Sequence, residues 1–325
     1  MKHRIPLPQG YRLHDVLAFH SRDAESVAEQ ISPERLRKGV VMDGVPLVLD
    51  IALPPGAGYA EYAVQADLPG AAASAQAAKA ASTAGAAGAS TRAAASLPAA
   101  LAAQAHDAVL NVLGLRIDPQ PFLDFAANDA LLGELSRRQP GLRIVQSATV
   151  FEALTWAIIG QQINLPFAIS LRRTFILQAG TQHSSGLWCY PDAASAARLQ
   201  VDDLTSRKFS RAKAETLLRF AALVASGELD LAPGPGNSID DIGKALLAVK
   251  GIGPWTVNYG LLRGYGYPDC SLHGDVAIRA ALQALLGEDS KPDMPRTEEI
   301  LRRYAPHRTM AAAHLWASLH PRAED

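Results

Sequence analysis

The stretch that decides the fold runs from Lys250 to Asp275 and reads KGIGPWTVNYGLLRGYGYPDCSLHGD. Gly251-Ile252-Gly253 makes a tight turn between two helical runs. Upstream, Ser238 and Asp241 form a start like a capping box, and Ile239, Ile242, Leu246 and Val249 follow as a stripe for one buried face. Gly251 ends this helix as a residue free to take positive φ. Gly253-Pro254 opens the next helix, with proline where its missing N–H matters least. The second helix therefore begins with free N–H groups and a positive dipole end beside two glycines. That is a grip for a phosphate, and it reads no base. The first helix ends in orphan carbonyls, and those of Leu247, Val249 and Gly251 can converge on a monovalent cation, Na+ or K+. On its own, the turn is explained equally well by two helices that simply pack together.

Downstream of the turn the signal sharpens. Trp255, Tyr259 and Leu262 are spaced i, i+4, i+7 and share one helix face. The ordinary reading of such a stripe is core. The functional reading is an aromatic wall for a flat, electron-poor ring, with tryptophan as the strongest cation–π partner at roughly 0.5–2 kcal/mol. Asp275 heads a helical run, Val276 to Leu286. An N-cap is its plain role, and it is compatible with catalysis, because a helix N-terminus favours the negative charge that would stabilise a cation.

Composition narrows the alternatives. The chain has 325 residues, enough for one or two domains, and a formal net charge of −1. No global field attracts nucleic acid, so any DNA contact must use local basic groups and backbone dipoles. Two cysteines, Cys189 and Cys270, cannot make a four-cysteine zinc or iron–sulfur site or a disulfide framework. The opening MKHRIPLPQGYRLHD has no apolar core of a signal peptide, and no run reaches the roughly 18 apolar residues that span a bilayer. A cytoplasmic protein with no membrane association is expected.

The first part reads as α+β. Val40-Val41-Met42 and Pro46 to Leu53 flank Asp43-Gly44 as a hairpin, Tyr59 to Ala66 is a third strand, and Leu13–Phe19 and Ala24–Ile31 are candidate helices. From about 70 to 97 the chain is mostly alanine, glycine and serine, which reads as a flexible insert. From Pro98 onward the pattern is helical throughout. Leu101–Leu113 is helical, Phe151, Leu154, Ile158 and Ile159 recur at helical spacing, Asn164-Leu165-Pro166 opens a helix through Leu177, and Ser206–Leu223 is amphipathic. The expected organisation is an N-terminal α+β domain over 1–110, a small antiparallel sheet with helices, followed by an all-α domain over 111–325.

The segment LLAVKGIGPWTVNYGLLRGYG, the leucine and aspartate of SLHGD, and FEALTWAIIGQQIN upstream resemble the helix-hairpin-helix DNA glycosylases, most closely the 3-methyladenine DNA glycosylase II branch. HRTMAAAHLWASL, YRLHDVLAFH and LNVLGLRIDPQPFL are similar to that branch as well, so the resemblance covers most of the chain outside the insert. It implies that Asp275 is catalytic and that Gly251, Ile252, Gly253 and Thr256 contact DNA. It also implies that Trp255, Tyr259, Trp316 and Phe19 line the base pocket, that Gln161 borders it, and that Gln162 fills the gap left by an extruded base. Bifunctional relatives carry a Schiff-base lysine where this chain has Trp255, which implies hydrolysis without strand cleavage. His273-Gly274 departs from the family's proline and second acid, and Asn164 replaces a frequent serine.

Together these readings point to a monofunctional DNA glycosylase for alkylated purines of the 3-methyladenine and 7-methylguanine class. It would act as a monomer on double-stranded DNA at a bacterial nucleoid, with no cofactor needed for catalysis. The rivals are a glycosylase for deaminated or oxidised bases and a non-catalytic DNA-binding module.

Overall fold

The computed structural model describes residues 2–68 and 97–319. The alanine-rich insert therefore lies outside the described residues, apart from Leu97. An N-terminal sheet carries five antiparallel strands: β1 (His3–Pro6), β2 (Glu29–Ser32), β3 (Arg35–Met42), β4 (Val45–Ala52) and β5 (Tyr59–Ala66), in the spatial order β1-β5-β4-β3-β2. Met42 pairs with Val45, leaving Asp43 (φ 48°) and Gly44 (φ 74°) as the two-residue turn that a right-twisted hairpin prefers. Leu36, Leu47, Leu49 and Ile51 pack with Val109 and Val112 of the helix Ala99–Val112. The same apolar cluster extends to Leu113, Val145 and Ala148.

Helices then follow: Val150–Gly160, Leu165–Ala179, Arg211–Ser226, Ile239–Leu247, Pro254–Gly260, Val276–Leu286, Met294–Arg302 and Arg308–Ser318 are the main ones. They enclose a second core that includes Phe151, Leu154, Ile158, Phe175, Phe220, Leu246, Leu262, Leu282 and Leu315. The architecture is thus an antiparallel sheet domain followed by an all-α domain with a helix-hairpin-helix element. Among the described residues no helix is long and apolar enough to cross a membrane.

Three local expectations need correction. Ala24–Ile31 is not a helix: the Asp23 carboxylate accepts from the Glu25 N–H, Ser26 is left-handed at φ 51°, and Glu29–Ser32 pairs with β3 instead. Good helix formers lose here to a cross-strand ion pair, Glu29 with Lys38. Ser206–Leu223 starts late: Lys208 is left-handed at φ 72°, and Ser210 caps a helix that begins at Arg211. The second part is also not helical throughout. Thr181–Gln182 pairs with Trp188–Cys189, and Tyr190 accepts from Val41 N and donates to Gly39 O, joining this hairpin to β3. Gly39 is required there, since a Cβ would stand 2.1 Å from the Trp188 carbonyl oxygen.

The two cores meet across a buried set of charges. Lys38 Nζ donates to Glu29 (2.6 Å) and Glu152 (2.7 Å), and Arg172 Nη2 donates to the same two carboxylates. Two acids and two bases balance. Burial resists their ionisation, but the facing Arg172 and Lys38 hold both carboxyls below the usual carboxylate range. His20 beside them is buried, and burial together with the Lys38 charge pushes it down to about 4; burial, then Arg12, does the same to His314. Unfolding returns both imidazoles to an ordinary pKa, so the unfolded state binds more protons below about pH 6.5. Stability is therefore full above that pH and falls as pH drops toward 4, by up to about 3 kcal/mol per histidine. Urea unfolding between pH 7.5 and 4.5 should show this slope, and the double variant His20→Gln/His314→Gln should flatten it.

Candidate active site

The hairpin begins with Ile239–Leu247, capped reciprocally by Ser238 and Asp241. Val249 and Ile252 are buried and anchor the turn from below. The two glycines differ in what demands them. Gly251 sits at φ 96°, and a Cβ would meet Thr216 Oγ1 at 2.1 Å, so the fold itself requires glycine there. Gly253 is the N-cap of Pro254–Gly260 at φ −107°, and a Cβ there would meet nothing within 4 Å. The N-cap is thus open on this side, and a helix N-terminus with room beside it suits an anion such as a phosphate.

Two side chains tie down the end of Val150–Gly160, one to this turn and one to the helix Arg211–Ser226. Gln161 Nε2 donates to Gly251 O (3.0 Å) and Thr256 Oγ1 (2.8 Å). Lys213 Nζ donates to the carbonyls of Ile158, Ile159 and Gln161 at 3.1, 2.7 and 2.9 Å, as a cation at a helix C-terminus should. Gln161, expected at the border of the base pocket, thus spends its amide on the hairpin. Thr256, expected on DNA, is buried and accepts from Gln161 through its hydroxyl. Gln162 next to them is exposed and left-handed at φ 55°. For a non-glycine residue this is a strained conformation of the kind kept at functional positions.

The carbonyls suggested for a cation are not all vacant. Val249 O accepts from Ile252 N (3.0 Å), and Gly251 O accepts from Gln161. Each retains one lone pair, so a monovalent cation stays compatible with the turn. Among the described residues no group of three or more His, Cys, Asp or Glu side chains could hold a metal ion, and burial pushes Cys189 and Cys270 up to about 12.

Asp275 caps Val276–Leu286 and receives four donors. Its Oδ1 accepts from Ala277 N (3.0 Å), Ile278 N (3.0 Å) and Trp316 Nε1 (3.2 Å); its Oδ2 accepts from Trp255 Nε1 (2.9 Å). Oδ1 is saturated, and Oδ2 alone has capacity for a further partner. The loop before it holds its shape without the family's proline. Ser271 N donates to Asn258 Oδ1 (2.9 Å), Ser271 Oγ pairs with His273 Nδ1 (3.0 Å), and Asp275 N donates to Leu272 O (2.9 Å).

The expected aromatic residues do gather here. Trp255 stacks on Tyr259 with ring centres 5.2 Å apart, and Trp316 lies 6.2 Å from Tyr259. Phe19 joins them from the N-terminal domain through Arg263, which lies over Phe19, Tyr259 and Trp316. Sequence reasoning missed Trp156, whose Nε1 donates to Tyr259 Oη (3.1 Å), and it missed Arg263 and Arg22. A signal existed for Arg263, four residues after Tyr259 and so on its helix face. Behind Phe19 and Trp156 lies a cavity of about 50 Å³, bounded by Ser147 and the buried charges Glu29, Lys38, Glu152 and Arg172.

No protein-family model matches the chain. A DNA-3-methyladenine glycosylase of Bacillus subtilis is 34% identical over 206 residues, covering 62% of this chain and 68% of that protein. The chain belongs to the 3-methyladenine DNA glycosylase II-like family of the helix-hairpin-helix superfamily. It is therefore an enzyme of the DNA glycosylase superfamily. The matched stretch spans about two thirds of such curated relatives. The fold is shared with more distant solved structures. A 3-methyladenine DNA-glycosylase of Archaeoglobus fulgidus superimposes with a TM-score of 0.73 at 20% identity, covering 97% of each chain. An 8-oxoguanine glycosylase/lyase of Clostridium acetobutylicum gives 0.64 at 12% identity, over 97% of this chain and 95% of that one. Proteins named for different damaged bases thus share this fold, and the pocket residues must be read for themselves.

The two glycines make a clean experiment. Gly253→Val should fold like the wild type, because nothing in the protein opposes the side chain. It should weaken binding to damaged and undamaged duplex alike, by tenfold or more for the loss of a charge-assisted phosphate contact. Fluorescence-anisotropy titration of both duplexes checks this, and unchanged affinity would remove the hairpin from the DNA interface.

Proposed function

We propose that this protein is a monofunctional DNA glycosylase that flips alkylated purines out of duplex DNA and excises them by hydrolysis. The observation that carries this reading is the free capacity of Asp275 Oδ2, beside Trp255 and Trp316 and one helix away from the phosphate-gripping turn. A base inside the duplex cannot reach a half-buried carboxylate set among rings, so the nucleotide must leave the stack. That costs a few kcal/mol and is least expensive where alkylation has weakened pairing. Gly253 and the first-turn N–H groups hold the backbone, and Gln162, held left-handed and exposed, occupies the gap.

The chemistry then follows from charge. The C1′–N bond breaks and both electrons leave with the base, so a cationic alkylpurine departs neutral and needs no acid. Positive charge develops on the sugar, and the Asp275 carboxylate is the group that stabilises it, through Oδ2. Water attacks C1′ and passes its proton to the carboxylate and on to solvent. The products are the free base and an abasic sugar. Trp255 supplies no amine, so no Schiff base forms and the strand stays intact.

Asp275→Asn should bind abasic and intact duplex at least as well as the wild type, because a charge that repels phosphate is gone. Release of 7-methylguanine from duplex DNA should fall by at least a hundredfold, in line with the loss of a transition-state electrostatic partner. Near-normal release would remove Asp275 from the chemistry. Borohydride treatment of the wild type on substrate DNA should trap no covalent complex, and a trapped adduct would overturn the monofunctional reading.

A further inference from the structure

The aromatic cluster already contains a cation. The guanidinium carbon of Arg263 lies 4.8 Å from the Phe19 ring centre, 5.3 Å from that of Trp316 and 5.7 Å from that of Tyr259. Three faces suited to an electron-poor base thus face an arginine. A second guanidinium, Arg22, lies 4.2 Å from the same Phe19 ring. Arg263 arrives there on a π-helical turn, Leu261–Tyr265, which continues Pro254–Gly260 and ends at left-handed Gly266. Turns of this kind shift the register of the side chains they carry and concentrate at functional sites.

Arg263 is both held and incompletely used. Its Nη1 donates to the Val145 carbonyl, which fixes the side chain at the seam between the two domains. Its Nε is buried and meets no acceptor among the described residues. A buried guanidinium N–H without a partner is costly, so the fold holds this side chain in place at the expense of stability. The Trp316 indole links this group to the chemistry, since one ring presents its face to Arg263 and its N–H to Asp275.

We propose that Arg263 is the specificity-determining residue of the pocket and sets the balance between cationic and neutral damaged bases. Its fixed charge repels a base that is itself positive. Its free N–H donors suit a neutral purine whose carbonyl oxygen and ring nitrogen accept, as the O6 and N7 edge of a purine does. Cationic bases leave readily without help, whereas neutral ones depend on such contacts. The pocket is therefore graded toward neutral lesions rather than tuned to positive charge alone. This rests on the excision reading above, and the experiment separates the two.

Single-turnover release of 7-methylguanine, which is cationic in the nucleotide, and of hypoxanthine, which is neutral, is measured from otherwise identical duplexes. Arg263→Met should raise the ratio of 7-methylguanine to hypoxanthine release by on the order of tenfold or more, while Arg263→Lys, which keeps the charge but not the planar set of donors, should fall between Arg263→Met and the wild type. In parallel, tryptophan fluorescence is titrated with tetramethylammonium and with free hypoxanthine. Tetramethylammonium should bind Arg263→Met and not the wild type, and hypoxanthine should do the reverse. An unchanged ratio, or equal tetramethylammonium binding by both proteins, overturns the proposal. If the wild type releases neither base, the excision reading falls and the titration alone decides the role of Arg263. Should Arg263→Met fold poorly, Arg263→Gln retains a donor toward Val145 and carries the same comparison.

Discussion

Three helices converge on one carboxylate. Asp275 takes two N–H bonds from its own helix, one from Trp255 on the hairpin helix and one from Trp316 on the C-terminal helix. A half-buried anion needs such compensation, and these donors supply it while leaving one oxygen able to act. The arrangement also explains why the site tryptophans are difficult to classify from spacing. Each packs by its ring face and holds the Asp275 carboxylate by its N–H, so spacing alone cannot sort the stripe Trp255-Tyr259-Leu262 into core or site. Removing either indole would unseat the carboxylate as well as a pocket wall.

The remaining pocket wall depends on the N-terminal domain, and there the constraint is the seam of Glu29, Lys38, Glu152 and Arg172. These four buried groups are satisfied only when strand and helix are docked together, because each carboxylate bonds to one cation from either side. Breaking one member would strand its partners at a cost of about 3–5 kcal/mol. Such a seam adds little to stability compared with apolar packing, but it penalises misregistered docking heavily. Register matters because Phe19 and Arg22 come from one side of the seam and Tyr259, Arg263 and Trp316 from the other.

Much of the frame was legible in the sequence for reasons that are local. The Asp43-Gly44 turn, the Ser238–Asp241 cap, Gly251 and the proline after Gly253 each state their backbone geometry without reference to the rest of the chain. The candidate site was legible where motif and spacing coincide: Trp255, Tyr259 and Asp275 gather in the structure, beside the turn of Gly251 and Gly253. What escaped was non-local. Glu29–Ser32 is a strand only because Lys38 and β3 lie beside it, and β1 is a four-residue edge too short to show alternation. Gln161 and Thr256 sit in the expected places but turn their side chains toward each other. No periodicity announces that a π-helical turn will carry Arg263 to Phe19, a ring 244 positions earlier in the chain.

The proposed phosphate grip and the proposed base extrusion would share one support. The carbonyl of Gly251 is held by Gln161, the carbonyl of Gln161 is held by Lys213, and the next residue is the strained, exposed Gln162. Burial alone pushes the Lys213 ammonium down to about 8, while the three carbonyls that surround it favour the charged form. Lys213 is thus a fixed cation at a helix C-terminus, and it shapes the turn from which Gln162 projects. A phosphate pulled onto the first-turn N–H groups beyond Gly253 would load the same turn that carries Gln162, through two hydrogen bonds. Coupling of this kind needs no moving domain. It needs only that the backbone contact and the inserted side chain be built on one rigid knot, so that seating the phosphate also sets the depth at which Gln162 meets the duplex.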